Sequence, residues 1–266
     1  MSATEVPELE AGSPQDPRLV QPSRINAAGA GWDWIAQGWK LFVRAPLMWI
    51  ISIVIVFIAA VAISIVPFVG SLAFQLLQAV IAGGFMVGCH SLAKGGDYEL
   101  EHLLAGFRQN FVNLLLVGVI FVVGGLVILL VMGMFVGMTV LGAIFTGSPE
   151  NVYATVLGSA MSILLGLLVA LALMVPLLAA YWFAPALVIL NNMGPVAAMK
   201  ESFLGCFRNF LAFLVYGIVM TLLALVATIP FGLGFLVWIP LAITSTYAAY
   251  RAIFTEPDAA ETAVTI

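Results

Sequence analysis

Charged side chains are scarce in this sequence: Asp, Glu, Lys and Arg together make up 8% of its 266 residues. A soluble globular domain carries about 25% charged residues. Hydrophobic residues instead make up 63% of the chain, and the mean hydropathy is +1.16. So few charges cannot cover a water-facing surface, which excludes a soluble domain and indicates an integral membrane protein.

Groups that carry catalysis or bind metals are also few. Cys89 and Cys206 give neither a disulfide framework nor a metal-ligand spacing. His90 follows Cys89, but two neighbouring ligands do not make a metal site, and free residues are the simpler interpretation. Catalytic triads, glycine-rich phosphate loops and zinc-protease motifs are absent from the sequence. We therefore expect no enzyme activity, no catalytic residue, no metal, no cofactor and no nucleic-acid partner.

Long apolar runs dominate the rest of the chain. A transmembrane helix needs about 20 apolar residues in succession, and the qualifying runs lie at about 46–67, 70–92, 112–138, 157–180, 211–229 and 231–250. The third and fourth runs exceed one bilayer thickness, which tilt, a kink at Pro176 or a re-entrant end could absorb. Residues 141–153 predict the only long loop on their side. The predicted fold is an all-α polytopic membrane helix bundle, with a membrane domain over residues 31–254.

The two ends of the chain have a different composition. Residues 1–30 are rich in Pro, Ser, Glu and Gly, and they predict a disordered cytoplasmic tail without a cleaved signal peptide. Residues 255–266 predict a second short cytoplasmic tail.

The basic residues predict how the chain is oriented. In a six-span arrangement all nine fall on one side: Arg18, Arg24, Lys40, Arg44, Lys94, Arg108, Lys200, Arg208 and Arg251. Loops with an excess of Lys and Arg stay in the cytoplasm. Both termini are therefore predicted to be cytoplasmic. A wrong span count would scatter the basic residues over both sides, so their segregation favours six spans.

A short pattern recurs before pairs of apolar runs. Residues 101–108 match residues 201–208 position by position: acidic, polar, two apolar, two small, Phe and Arg. Residues 38–44 are a looser third copy. The pattern predicts three units, each a short cytoplasmic amphipathic helix followed by a helical hairpin. Chance similarity between apolar segments is the alternative.

The predicted amphipathic helices carry residues that suit the membrane interface. Tryptophan favours the headgroup region, and a cation at the end of such a helix can reach lipid phosphates. The alternative to an anchoring role is a ring of charges at the cytoplasmic mouth of the bundle, formed by Glu101, Arg108, Glu201 and Arg208. The candidate interfacial anchors are Trp32, Trp34, Trp39, Arg44, Phe107, Arg108, Phe207 and Arg208.

Two glutamines stand out inside the apolar runs. Gln75 and Gln78 lie three residues apart, so they share a helical face near the outer end of the second run. They could line a polar path, while an interhelical hydrogen bond or a headgroup contact is the simpler interpretation. No Asp, Glu, Lys or Arg lies well inside a run, which argues against an intramembrane enzyme and against proton-coupled transport.

Several segments also resemble a known family. They are YWFAPAL at 181–187, AMKESF at 198–203, Cys206 with Arg208 and Asn209, and the Gly- and Trp-rich segment 31–42. These are similar to a family of uncharacterised six-span bacterial inner-membrane proteins. That family is similar to the YciC-like proteins and to the membrane domain of some glycerophosphodiester phosphodiesterases. The resemblance covers roughly residues 31–254. It implies a six-span fold and an inner-membrane location, but no activity and no catalytic residue.

Function is therefore predicted only as a class. The first hypothesis is a non-enzymatic inner-membrane component that binds or organises lipids or other membrane proteins. The alternative is a channel or transporter for a small or amphiphilic solute. The two differ in whether the bundle encloses a continuous polar cavity that reaches Gln75 and Gln78. The lipid bilayer is the expected partner, and the oligomeric state does not follow from the sequence.

Overall fold

The computed structural model describes residues 18–67, 69–145 and 152–256, and most of the residues in these ranges are helical. The helices are α1 Ala30–Phe42, α2 Pro46–Ser64, α3 Val69–Ala93, α4 Ala105–Arg108, α5 Phe111–Phe145, α6 Val152–Trp182, α7 Ala184–Asn191, α8 Pro195–Arg208, α9 Phe210–Thr228 and α10 Phe235–Phe254, with a 3₁₀ helix at Leu100–Leu104. The β-pairing among the described residues is one isolated bridge between Leu19 and Thr255. The prediction of an all-α membrane bundle is confirmed.

Within the described ranges, five stretches of helix are long and apolar enough to cross a membrane. They are Pro46–Ser64, Val69–Ala93, Phe111–Phe135, Ala160–Asn191 and Phe210–Thr228. They overlap the first five predicted runs, whereas α10, which overlaps the sixth run, is not among them. Its second half carries Thr244, Ser245 and Tyr247, which lower its hydropathy and are buried against neighbouring helices. A count of six spans therefore stays a prediction.

The helices α5 and α6 are longer than predicted. At about 1.5 Å per residue, the 35 residues of α5 extend about 52 Å and the 31 residues of α6 about 46 Å. The hydrocarbon core of a bilayer is only about 30 Å thick. The predicted loop at 141–153 is therefore wrong for residues 141–145 and 152–153, which are helical because a continued helix keeps their backbone groups hydrogen-bonded. Residues 146–151 lie outside the described part of the chain.

A short helical segment precedes each pair of long helices. α1 comes before α2 and α3, the 3₁₀ helix with α4 before α5 and α6, and α8 before α9 and α10. The matched segments differ in form, because 101–108 is a 3₁₀ turn joined to a four-residue helix, whereas 201–208 ends a 14-residue helix. Pro195 occupies the first turn of α8, where its fixed φ favours the helix.

The core forms where α10 meets α1, α3 and the α6–α7 junction. Tyr247, Tyr250 and Phe254 of α10 are buried, and Phe183 packs against Phe254 with ring centroids 5.3 Å apart. α1 lies close to α10 because Gly38 has no side chain: a Cβ there would stand 2.6 Å from the backbone nitrogen of Ser245. This contact brings the last turns of α1 and α10 together.

Candidate functional site

A cavity of about 760 Å³ separates α9 from α3, α6 and α7, with α10 as its floor. Its walls include Met86 of α3, Trp182 of α6, Pro185 of α7, Phe213 and Met220 of α9, and Trp238 of α10. None of the described side chains that line it carries a charge. We call this cavity the apolar groove.

The apolar groove exists because α9 packs chiefly on α1 and α10. Gly31 of α1 lies directly against the backbone of Ala212 and Tyr216, which holds the start of α9 close to α1. On the groove side, a Cβ on Gly217 would meet no atom within 4 Å. The space between α9 and its neighbours is therefore open at Gly217.

Three polar side chains of the groove wall are hydrogen-bonded within the protein. The indole nitrogen of Trp238 donates to the carbonyl of Met220 at 2.9 Å, and the hydroxyls of Tyr216 and Ser245 lie 2.9 Å apart. The Thr221 hydroxyl donates to a carbonyl one turn earlier, at 2.7 Å. Burying a polar group without a partner is costly, so these bonds make an apolar surface out of a wall that contains polar residues.

The length of the apolar groove is set by α9. Its lining runs from Phe213 to Ala224, which at about 1.5 Å per residue is about 16 Å along the helix. That distance is about half of the ~30 Å hydrocarbon thickness of a bilayer. The apolar groove thus has the depth of roughly one lipid leaflet.

The glutamines of the predicted polar path do not line the apolar groove. Gln75 is half-buried and Gln78 is exposed near the start of α3. On α3 the groove is lined by Ala82 and Met86. The groove is therefore not the polar cavity that the channel hypothesis requires.

One of the three tryptophans predicted as interfacial anchors lies inside the bundle. Trp34 is 1% exposed, and its ring centroid lies 5.1 Å from that of Phe213 and 6.2 Å from that of Tyr216. The anchor prediction is wrong for Trp34, because α9 and α10 cover its face of α1. Trp32 and Trp39 lie seven residues apart on the other face and are exposed, so their interfacial role stays a prediction.

The prediction of a disordered tail is wrong for residues 18–29. The backbone nitrogen of Val20 donates to the carbonyl of Phe254, and that of Arg24 to the carbonyl of Ile253, both at 2.8 Å. The last four carbonyls of a helix have no partner within it, so the end of α10 can accept an irregular segment. Residues 1–17, and 257–266 of the second predicted tail, lie outside the described residues.

Asn209 fastens this N-terminal segment, and sequence reasoning assigned it no role of its own. Its side chain is 1% exposed and accepts hydrogen bonds from the backbone and side-chain nitrogens of Asn26 at 2.7 and 3.1 Å. Its amide nitrogen donates to the carbonyls of Arg24 and Gly205, each at 2.9 Å. The partners at 24 and 26 lie more than 180 positions away, so no local sequence signal reveals them.

Arg208, a predicted lipid anchor, also contacts the N-terminal segment. Its guanidinium donates to the carbonyl and the hydroxyl of Ser23, both at 3.3 Å. The preceding Phe207 is 72% exposed and stacks on Phe203. The phenylalanine is thus placed to meet lipid, while the arginine has a protein partner. The anchor roles of both residues stay predictions.

Arg108, its predicted counterpart, has a different setting. It forms an exposed ion pair with Glu101 at 3.5 Å, and Phe107 beside it is exposed. Gly106 lies directly against the carbonyl of Val80, 13 residues before the end of α3, or about 20 Å along that helix. Arg108 therefore lies alongside the middle of α3, and the predicted equivalence with Arg208 does not extend to position.

The basic end of the bundle is where α3 and α10 finish and where α2 and α9 begin. There Arg44 donates to the carbonyl of Leu92 at 2.6 Å, near the end of α3. A cation at a helix C-terminus interacts favourably with the helix dipole. Arg44 is thereby held against α3, and its predicted contact with lipid stays a prediction.

Cys89 and His90 lie near the same end. Cys89 is a buried free thiol, and the Nδ1 atom of His90 lies 2.9 Å from the Tyr247 hydroxyl. Within the described ranges, no three His, Cys, Asp or Glu residues gather as a metal site. His90 and Tyr247 thus join α3 to α10.

Long apolar helices and an uncharged groove define a polytopic helical membrane protein. Comparison with known proteins agrees: the chain is 31% identical over 251 residues to a probable inner membrane protein of Burkholderia thailandensis, covering 86% of this chain and 92% of the relative. The chain therefore belongs to the same family of inner membrane proteins, and lipid is its surroundings. No protein-family model matches the chain, and no solved structure matches it.

Proposed function

We propose that this protein is a non-enzymatic inner-membrane component that binds lipid, with an acyl chain in the apolar groove. The observation that carries the proposal is the groove itself, uncharged and open at Gly217. We also propose that the protein has six spans, that both of its termini lie in the cytoplasm, and that it is related to the YciC-like proteins.

A lipid acyl chain is the occupant that suits the groove. The groove is apolar, and the lipid bilayer around the helices supplies acyl chains at its opening. Lipid tails are as apolar as leucine, so the hydrophobic effect does not favour the groove over the bilayer. Packing does: a protein interior has a density of about 0.74, against about 0.5–0.6 for an organic liquid. An acyl chain held between α9 and the α6–α7 junction makes more van der Waals contacts than it would make in the bilayer, because the protein packs more densely.

The rival classes of function receive less support. A catalytic site needs polar groups offered to a substrate, whereas the polar atoms of Trp238, Tyr216 and Thr221 are bonded within the wall. A channel needs a polar path, and Gln75 and Gln78 do not line the apolar groove. Acyl-chain binding requires only an apolar surface, which the lining of the apolar groove provides.

Filling the apolar groove tests the proposal. In Gly217→Leu, the Cβ meets no atom within 4 Å, and the other three side-chain carbons occupy part of the groove that Gly217 lines. A buried leucine makes about 40–60 contacts of ~0.1–0.2 kcal/mol each, and about a quarter of that is the excess over liquid hydrocarbon. Displacing an equivalent stretch of acyl chain thus costs about 1–3 kcal/mol, or roughly 5- to 150-fold in occupancy.

Gly125→Leu is the matched control, since Gly125 is a helical glycine of α5 with no atom within 4 Å of its missing Cβ, and it lies outside the groove. Native mass spectrometry of protein released from phospholipid nanodiscs counts the lipids retained. We expect the wild type and Gly125→Leu to retain a lipid that Gly217→Leu loses. Equal retention by both variants, or none by the wild type, would overturn the proposal.

A further inference from the structure

A second cavity, of about 180 Å³, lies at the basic end between the last turns of α1 and α10. Ala93, at the end of α3, closes one side. Three of its lining residues are cations, Lys40, Arg44 and Arg251, and Gln37 and Tyr247 add polar groups. We call this cavity the basic pocket.

The helices converge on the basic pocket for a geometric reason. Gln37 and Lys40 are three residues apart, so they share one face of α1, and Arg44 follows in the linker after the helix. The close approach at Gly38 turns this face toward the end of α10, which supplies Arg251. Cations from two helices and the linker after α1 are thereby directed at one small cavity.

Two of the polar groups are held in place by further contacts. The guanidinium of Arg44 donates to the carbonyl of Leu92 at 2.6 Å, which leaves other N–H groups of its planar fork for a ligand. The Tyr247 hydroxyl lies 2.9 Å from Nδ1 of His90. Ordering these side chains before a ligand arrives lowers the entropic cost of binding.

Charge indicates the kind of ligand. A cavity lined by charges of one sign attracts ions of the opposite sign. No acidic residue is among the described residues that line the basic pocket; Asp97 lines the adjoining depression on the other side of Arg44. Arginine forks match the oxygens of phosphate, and several cations suit an anion with more than one charged oxygen.

We infer that the basic pocket binds a phosphate group. Its volume of about 180 Å³ equals about six waters at ~30 Å³ each, which accommodates a phosphate with part of its hydration. The phosphate can belong to an anionic lipid headgroup or to a soluble phosphate compound. The site is separate from the apolar groove, which uses other residues of α10, so either can fail without the other.

The test removes two cations from the basic pocket and two from elsewhere. The pocket variant is Lys40→Gln with Arg251→Gln, and the matched control is Arg18→Gln with Lys200→Gln, whose residues are exposed and lie outside the pocket. Protein in phosphatidylcholine nanodiscs is titrated with inorganic phosphate in one arm. In the other arm, phosphatidylglycerol replaces part of the phosphatidylcholine, and the melting temperature reports binding in both.

Each arm identifies one source of the phosphate. Stabilisation by phosphatidylglycerol that the pocket variant loses and the control keeps indicates a lipid headgroup; the same result with inorganic phosphate indicates a soluble ligand. Removal of a cation near an anionic surface weakens attraction about fivefold, so the pocket variant should bind about 30-fold more weakly. Equal losses in the two double variants, or no stabilisation of the wild type in either arm, would overturn the inference.

A charge insertion covers the case in which the pocket variant does not fold. Gln37→Glu places a carboxylate in the basic pocket at an exposed position of α1, and Gln109→Glu makes the same change at an exposed position outside it. We expect Gln37→Glu to weaken binding of the active phosphate compound and Gln109→Glu to leave it unchanged. Identical titrations of the two variants would contradict a phosphate site.

Discussion

The attachment of the N-terminal segment to Asn209 makes a quantitative prediction. Asn209→Ala removes three hydrogen bonds to this segment, two from Asn26 and one to Arg24. At about 0.5–1.5 kcal/mol net for each bond, the loss is about 1.5–4.5 kcal/mol of local stability. Local opening then becomes roughly 10- to 10³-fold more frequent.

Hydrogen exchange measures this opening at two amides. Val20 and Arg24 donate to the end of α10, so we expect both to exchange faster in Asn209→Ala by that factor. Asn26→Ala keeps the backbone bond from residue 26 and the bond to Arg24 and removes only the side-chain bonds of Asn26, so its effect should be smaller. Unchanged exchange at Val20 and Arg24 in a folded Asn209→Ala variant would refute the reasoning.

Three other predictions concern helix packing, thiol chemistry and topology. Gly38→Ala would place a Cβ 2.6 Å from the α10 backbone and should cost about 1–3 kcal/mol, seen as a lower melting temperature, whereas Gly29→Ala, with open space, should cost far less. Burial raises the pKa of the Cys206 thiol to about 12, so the thiolate is scarce near neutral pH. The rate of Cys206 alkylation should therefore rise about tenfold per pH unit from pH 7 to 10. A plateau in that rate near pH 9 would contradict a buried thiol. Reporter fusions should place Lys200 in the cytoplasm and Gly147 in the periplasm, while cytoplasmic exposure of Gly147 would refute the predicted orientation.

Much of the secondary structure could be predicted because it is a local property. Apolar runs of about 20 residues suit a membrane helix whatever they pack against, and a helix covers most of each predicted run. The turn between α2 and α3 follows from Pro67 and Gly70, and a Cβ at Gly70 would collide with the carbonyl of Ile63. The helix α10 is an exception, because its composition alone does not identify it as a membrane span. Neighbouring helices bury its polar residues, which would be unfavourable in contact with lipid.

The side chains on α1 show what local reasoning could not predict. Trp32, Trp34 and Trp39 are chemically equivalent in the sequence, yet one is buried and two are exposed. Burial depends on which face α9 and α10 cover, and those helices begin more than 160 residues later. The docking of residues 18–26 onto Asn209 depends on the same long-range arrangement.

The apolar groove likewise arises from helix arrangement. Gly217 and Ala224 are small residues seven positions apart on one face of α9, and this spacing is the available sequence signal for a cleft. Small residues in membrane helices more often mark close packing between helices. At Gly217 the structure leaves open space instead, so the same pattern corresponds to a cavity.

Cryo-electron microscopy of the wild-type protein in phospholipid nanodiscs tests the central claim most directly. We predict elongated non-protein density in the apolar groove, running beside Gly217 from Trp182 toward Trp238, with the dimensions of an acyl chain. A map in which α9 packs directly on α3 and α6, or in which the groove holds no such density, would contradict acyl-chain binding.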